Sequence, residues 1–245
     1  MSSAPDTQQR VDIGPAPELT GAVPVRSVLA APGAVTPRKY ATELIGTFLF
    51  VFAIGTAASL SGALAPLAIG SALMVMVYAG GHISGGHYNP AVTLGALVRG
   101  RIGPRDAVAY WVVQLVGAAL AGWLVHWVIL PVHDTAKTLS GHAMGAAFVA
   151  ELLFTFALVY VVLNVATSKD HPNNSFYGLA IGFTVLVGAF AVGGISGGVF
   201  NPAVFVGAAI TGLFAWSTIW VYFLAQLLAG ALAGLTFRAL NPADR

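Results

Sequence analysis

The stretch that decides the fold is ISGGHYNPAV, residues 83–92, which occurs again 112 positions later as ISGGVFNPAV, residues 195–204. Both copies lie within strongly apolar sequence. Each joins glycines, whose backbone can stay extended with its carbonyls exposed, to an Asn-Pro pair that begins a helix. Because a bilayer tolerates exposed backbone only beside protein or a water-filled path, the doubled stretch predicts the place of the function.

The composition predicts an all-α membrane protein. The chain is 57% hydrophobic and 8% charged, with a mean hydropathy of +0.82, which is not typical of a surface that faces water. Residues 1–37 are proline-rich and predict a disordered tail, and residues 239–245 predict a short C-terminal tail. Between them, six segments are apolar for about the 20 residues that a transmembrane helix needs: 40–61, 65–81, 106–130, 142–166, 176–193 and 215–237.

Each Asn-Pro pair begins a helix that is too short to cross the bilayer. The first predicted half-helix, 89–99, ends at basic residues, and the second, 201–211, ends near a Thr-Gly pair. About ten residues rise only ~15 Å, or half the hydrocarbon thickness. The sequence therefore predicts two re-entrant half-helices in addition to the six transmembrane helices.

The chain reads as two homologous halves in opposite orientations. The first repeat, 38–133, and the second, 134–238, each hold three spans and one half-helix, and an odd number of spans inverts the second repeat. With a cytoplasmic N-terminus, ten of the eleven Lys and Arg residues fall inside and only Lys137 falls outside. This is the charge bias of a multi-pass membrane protein whose two termini are cytoplasmic, and the composition fits a bacterial cell membrane.

Inverted halves bring Asn89 and Asn201 together near the midplane, each at a helix N-terminus. An asparagine there accepts backbone N–H bonds through its oxygen, which leaves the amide NH₂ as a donor toward a lumen. A water that accepts from both amides turns its hydrogens outward, which interrupts the hydrogen-bond chain that carries protons, while the two positive dipole ends repel cations. A ladder of acceptor carbonyls leading to this centre is expected from Gly85, Gly86, His87, Tyr88, Gly197, Gly198, Val199 and Phe200.

At these residues the chain resembles the aquaporin, or major intrinsic protein, family, over about residues 38–238. The resemblance implies a homotetramer in which each protomer has its own pore for water, with Asn89 and Asn201 lining the centre. It also implies that Glu43 and Glu151 hold the two pore loops through backbone N–H groups; a proton relay is the alternative for these intramembrane acids. The half-helices then start at Pro90, Ala91, Pro202 and Ala203.

The sequence departs from the family pattern at Val204, where water-selective members usually have an arginine in the outer filter. Family spacing places the other three filter positions at Ile69, Ala189 and Gly198. All four side chains are small or aliphatic, so the resemblance implies a wide, uncharged filter. Plant vacuolar-membrane aquaporins are similar in lacking the arginine, and they pass urea, ammonia or hydrogen peroxide besides water; glycerol could pass on size alone, although the Arg-Asp signature of the glycerol branch is absent.

Three classes of function remain open at this point: a passive channel for water and small neutral solutes, a coupled secondary transporter, and a non-conducting structural membrane protein. A transporter usually needs paired ionisable groups at the midplane, where this chain has asparagines. No nucleophile lies near a base, no phosphate loop is present, and the histidines lack a carboxylate partner for a metal. We therefore expect no enzyme activity, no cofactor, no bound metal and no nucleic-acid binding.

Overall fold

The computed structural model of the protein describes residues 37–130 and 136–244. The predicted N-terminal tail, 1–37, lies outside this part of the chain except for Pro37, which begins the first helix. Residues 131–135, at the predicted junction between the repeats, also lie outside it. The described residues form eight α-helices in the order that the sequence predicts.

Six of these helices are long and apolar enough to cross a membrane, and two are short. In chain order the helices are α1 (Pro37–Leu60), α2 (Ala65–Ser84), α3 (Pro90–Arg99), α4 (Pro104–Leu124), α5 (Gly141–Thr167), α6 (Tyr177–Ser196), α7 (Pro202–Ile210) and α8 (Ile219–Leu240). A 3₁₀ turn precedes α2 (Gly62–Leu64) and another precedes α8 (Trp216–Thr218), and α4 continues into a π-helical turn, Val125–Ile129.

The helix ends differ from the predicted ones by a few residues, for local reasons. α2 and α6 continue to Ser84 and Ser196, so each takes in the first two residues of the doubled stretch. The half-helices begin at proline, which fits the first turn because its missing N–H would have no partner there. Asn89 and Asn201 are therefore N-caps with extended backbone and not helical residues.

The two halves interlock through their half-helices. Within each half, α1 packs on α4 and α5 packs on α8, but α3 of the first half packs on α8 of the second, and α7 packs on α4. These crossings require glycine: a Cβ on Gly122 would lie 2.5 Å from the carbonyl oxygen of Gly207, and a Cβ on Gly230 would collide with the carbonyl oxygen of Ala91. Small residues allow helices in a membrane to approach this closely.

The bundle has two ends, which we call the terminal end, where α1 begins and α8 ends, and the linker end, where the segment 136–140 enters α5. The segment of the predicted C-terminal tail that the structure describes is docked at the terminal end. Asp244 is buried there and forms ion pairs with Arg99 at 2.6 Å and with Arg101 at 3.4 Å. It also accepts a hydrogen bond of 2.8 Å from the backbone N–H of Lys169. One carboxylate therefore ties the end of α3 to the end of α5.

Candidate functional site

Two matched loops connect α2 to α3 and α6 to α7. Each begins with a glycine in the left-handed region, Gly85 at φ 95° and Gly197 at φ 97°. Each also holds a non-glycine residue there, Tyr88 at φ 46° and Phe200 at φ 51°. A left-handed L-residue costs about 1–2 kcal/mol, so contacts outside the loop must hold this conformation.

In the first loop, that contact is the buried carboxylate of Glu43 on α1. It accepts hydrogen bonds from the backbone N–H groups of His87 at 2.9 Å and Tyr88 at 2.7 Å. The Ser84 hydroxyl donates to it at 2.7 Å, and the Gln114 amide at 2.9 Å. Four donors therefore replace the water that a charged carboxylate would lose on burial.

The second loop repeats this arrangement around Glu151 on α5. The backbone N–H groups of Val199 and Phe200 donate to its carboxylate at 3.0 and 2.7 Å. The Ser196 hydroxyl donates at 2.6 Å and the Gln226 amide at 2.8 Å. The same carboxylate thus fixes both a helix end and the left-handed turn that follows it.

Aromatic side chains anchor the loops from their other side, a feature that the sequence analysis missed. The Tyr88 ring fills a slot between Gly46 on α1 and Gly80 on α2, where any Cβ would collide with it. The Phe200 ring packs in the same way against Gly188 of α6. The signal was present in the sequence as matched aromatic residues before each asparagine, but the glycines that receive them are on distant helices.

The side chain of each asparagine is hydrogen-bonded to the loop that holds the other asparagine. The Asn89 amide donates to the carbonyl oxygen of Phe200, and the Asn201 amide donates to that of Tyr88, both at 2.9 Å. Each side-chain oxygen accepts from the backbone N–H two residues further on. Because an amide nitrogen carries two hydrogens, one N–H of each asparagine holds the loops together and the other is left for the cavity beside it.

The residues of the expected carbonyl ladder lie in two different settings. The carbonyls of Tyr88 and Phe200 accept from the opposite asparagine, and neither residue is among those that line the cavity beside the loops. Gly85 is also absent from that lining; its backbone N–H caps α2 through a bond to the carbonyl oxygen of Gly81. The predicted residues that do line the cavity are Gly86, His87, Gly197, Gly198 and Val199.

The cavity runs along the two loops and has an empty volume of about 770 Å³, including the space at its open mouth. Among the described side chains that line it, three are polar: Asn89, Asn201 and His87. The four predicted filter residues, Ile69, Ala189, Gly198 and Val204, all lie on its wall. A Cβ on Gly198 would come 3.1 Å from the Cα of Ala189, so the backbones at these two predicted filter positions lie close together.

The contacts of His87 favour one tautomer. Its Nδ1 lies 3.0 Å from the Thr93 hydroxyl oxygen. That hydroxyl donates its own hydrogen to the carbonyl of Asn89 and accepts from the Gln114 amide. This arrangement favours the tautomer with its hydrogen on Nδ1 and with Nε2 as an acceptor. The matched residue in the second half is Val199, so the two halves of the cavity differ in polarity.

The remaining lining residues are apolar side chains on the spans, on the two half-helices and in the segment that follows α7, and sequence reasoning did not single them out. They are Phe50, Ile54, Ala58, Leu73, Val92, Leu158, Val162, Ile181, Val185, Ala208, Leu213 and Phe214. In a helix that is apolar on every face, periodicity does not separate a lumen-facing residue from a core residue. Within 37–130 and 136–244, no group of three or more His, Asp or Glu residues is placed to hold a metal ion.

Six spans, two half-helices that meet at asparagine N-caps, and a cavity along their loops define a membrane channel. The family model for the major intrinsic protein family matches residues 33–237. The chain belongs to this family, whose members are passive channels for water and small solutes and not enzymes. The expectation of a passive channel is therefore confirmed, and those of a coupled transporter and of a non-conducting structural protein are not supported.

Relatives in bacteria and plants are similar to most of the chain. The glycerol uptake facilitator protein-like 6 of Lactiplantibacillus plantarum is 41% identical over 84% of this chain and 100% of the relative. Aquaporin TIP2-3 of Zea mays is 40% identical over 83% of this chain and 88% of its own. Among solved structures, the aquaglyceroporin of Plasmodium falciparum matches 84% of this chain and 98% of its own with a TM-score of 0.71 at 22% identity. The fold class is thereby confirmed.

Proposed function

We propose that this channel passes water together with small uncharged solutes such as urea, ammonia, hydrogen peroxide or glycerol, through a wide filter without an arginine. The observation that carries the proposal is the outer part of the cavity, where Ile69, Ala189, Gly198 and Val204 share one apolar wall. None of these side chains carries a charge or a hydrogen-bonding group. Solutes are then selected by size and by the cost of leaving water, and not by a fixed cation.

The centre of the proposed pore excludes protons and cations. One N–H each of Asn89 and Asn201 is available to a water oxygen, because the other is bonded to the opposite loop. The N-termini of α3 and α7 add about half a positive charge each. A water held by both amides cannot pass a proton along the file, and a cation meets two positive dipole ends.

We further infer a homotetramer in a cell membrane, with both termini in the cytoplasm. Most basic residues of the described chain lie at the terminal end, and Lys137 lies at the linker end. This distribution supports a cytoplasmic terminal end under the positive-inside rule. The exposed side chains of the spans are largely apolar, which supports burial against lipid and against neighbouring protomers.

Stopped-flow light scattering on proteoliposomes tests the proposed selectivity. We expect rapid osmotic shrinkage in sucrose, followed in urea or glycerol gradients by reswelling that empty liposomes do not show. Val204→Arg should reduce urea and glycerol entry at least tenfold while water flow persists, because the guanidinium narrows the wall and adds charge. Val204→Leu is the matched control that adds bulk without charge. If wild-type vesicles and Val204→Arg vesicles admit the same solutes at the same rates, the filter assignment is wrong.

A further inference from the structure

The linker end of the cavity has one basic residue in the part of the chain that the structure describes, and it belongs to the connection between the halves. Lys137 lies just before α5 and is half-buried. Its backbone N–H donates to the carbonyl of Leu213 at 2.9 Å, and its carbonyl accepts from the N–H of Ala215 at 3.1 Å. These two bonds fasten the connecting segment across the residues that follow α7, and Leu139 is buried beneath it.

The segment 213–215, to which the backbone of Lys137 is hydrogen-bonded, forms part of the wall of the cavity. Leu213 and Phe214 both line it, and the Phe214 ring covers Gly197, where a Cβ would collide with it. Lys137 and Phe214 are the paired residues of a parallel bridge. Paired residues project their side chains to the same face of a ladder, since side chains alternate between the faces along each strand. The pairing therefore places the Lys137 side chain on the same side of this segment as the Phe214 side chain, next to the residues that line the cavity.

The charge of Lys137 lies close enough to the Glu151 carboxylate for the two charges to interact. Burial lowers the pKa of Lys137, and the nearby carboxylate of Glu151 partly offsets this. The same carboxylate holds the N–H groups of Val199 and Phe200. Glu151 already has four hydrogen-bond donors of its own, and among the described residues Lys137 forms no ion pair with a carboxylate.

We propose that Lys137 supplies the fixed positive charge that the filter lacks at Val204, and that this charge repels cations at the outer mouth of the pore. The inference rests on the arginine-free filter of the proposed function. A charge at the mouth of a low-dielectric cleft changes the local concentration of ions of the opposite and the same sign by about tenfold or more. It does not narrow the passage, so neutral solutes are selected by size and cations are excluded by charge at separate places.

Urea and guanidinium form a matched pair of probes, because both are small and planar and only guanidinium carries a charge at every accessible pH. We would measure uptake of both labelled probes in proteoliposomes. For Lys137→Gln, the ratio of guanidinium to urea permeability should rise about tenfold over the wild-type ratio. Lys137→Arg keeps the charge and should keep the wild-type ratio. Arg105→Gln, which removes an exposed basic residue at the terminal end, is the matched control and should also keep it.

An unchanged ratio in Lys137→Gln overturns the proposal. So does an equal rise in Arg105→Gln, since the effect would then come from net charge and not from position. If wild-type vesicles exclude urea, the wide filter is wrong, but uptake of labelled Na⁺, divided by the water permeability of the same vesicles, still decides the role of Lys137. A ratio about tenfold above wild type in Lys137→Gln, with the wild-type ratio in Lys137→Arg, supports the proposal. Equal ratios in all three proteins overturn it.

Discussion

Replacement of Glu151 by glutamine tests whether a single carboxylate maintains the second pore loop. One side-chain oxygen accepts from the Ser196 hydroxyl and the Val199 N–H, and the other accepts from the Phe200 N–H and the Gln226 amide. In Glu151→Gln, an NH₂ group replaces one of the two oxygens. Each oxygen position has two hydrogen-bond donors beside it, so the NH₂ group faces two donors in either orientation of the amide.

The cost can be worked from these contacts. Within each pair, one donor can adjust: the Ser196 hydroxyl rotates, and the Gln226 amide can turn to present its oxygen, which has no other partner. The other donor is a backbone N–H that cannot turn and is left buried without an acceptor. A stranded buried group costs about 1–3 kcal/mol, and the remaining bonds lose their charged acceptor, so we expect a total of about 3 kcal/mol.

The measurement is thermal unfolding in detergent, combined with water permeability in proteoliposomes. For a chain of this size, 3 kcal/mol corresponds to a Tm lower by roughly 6–12 °C. Water permeability should also fall, because Phe200 no longer holds its left-handed turn. Asp106→Asn is the matched control, since Asp106 accepts a 3.3 Å bond from Tyr40 near the surface, and it should change stability by about 0.5 kcal/mol at most. A Tm within 2 °C of wild type for Glu151→Gln, roughly the effect of 1 kcal/mol or less, would refute the reasoning.

Two further substitutions test the close packing between helices and the ion pairs at the terminal end. Gly230→Ala should abolish folding or cost more than about 3 kcal/mol, because its Cβ collides with the backbone of Ala91; expression and gel filtration check this against Gly145→Ala, whose Cβ meets nothing within 4 Å. Asp244→Asn should cost about 3 kcal/mol at neutral pH by leaving Arg99 buried without its ion-pair partner. Burial raises the pKa of Asp244, but the hydrogen bonds from Lys169 and Arg99 outweigh burial and hold it below its ordinary 3.8. The wild-type advantage over Asp244→Asn should therefore be complete above that pH and disappear as pH falls through the lowered pKa, and equal acid sensitivity of the two proteins in unfolding experiments would contradict it.

The architecture was predictable because it depends on sequence features that are local to each helix and on their order along the chain. Long apolar runs, the proline that starts each half-helix and the repetition at 112 residues fixed six spans and two half-helices to within a few residues. The opposing placement of Asn89 and Asn201 followed from the odd number of spans in each repeat. These inferences needed only length, composition and order.

Contacts between distant helices were not predictable in the same way. The slot for Tyr88 is formed by Gly46 and Gly80, which are two of many glycines in apolar sequence. The docking of Asp244 depends on where α3 and α5 end in space. A pattern of residue types does not give the rotation of one apolar helix against another, and that rotation decides which side chains reach the lumen.

The crossing of the half-helices has a consequence for biosynthesis. α3 is made early, but the surface it packs on belongs to α8, the last helix of the chain. The ribosome must therefore complete α8 before the first pore loop can reach its final position. Until then α3 has only part of its binding site, so a chain truncated before α8 is expected to insert its spans and yet form no conducting pathway.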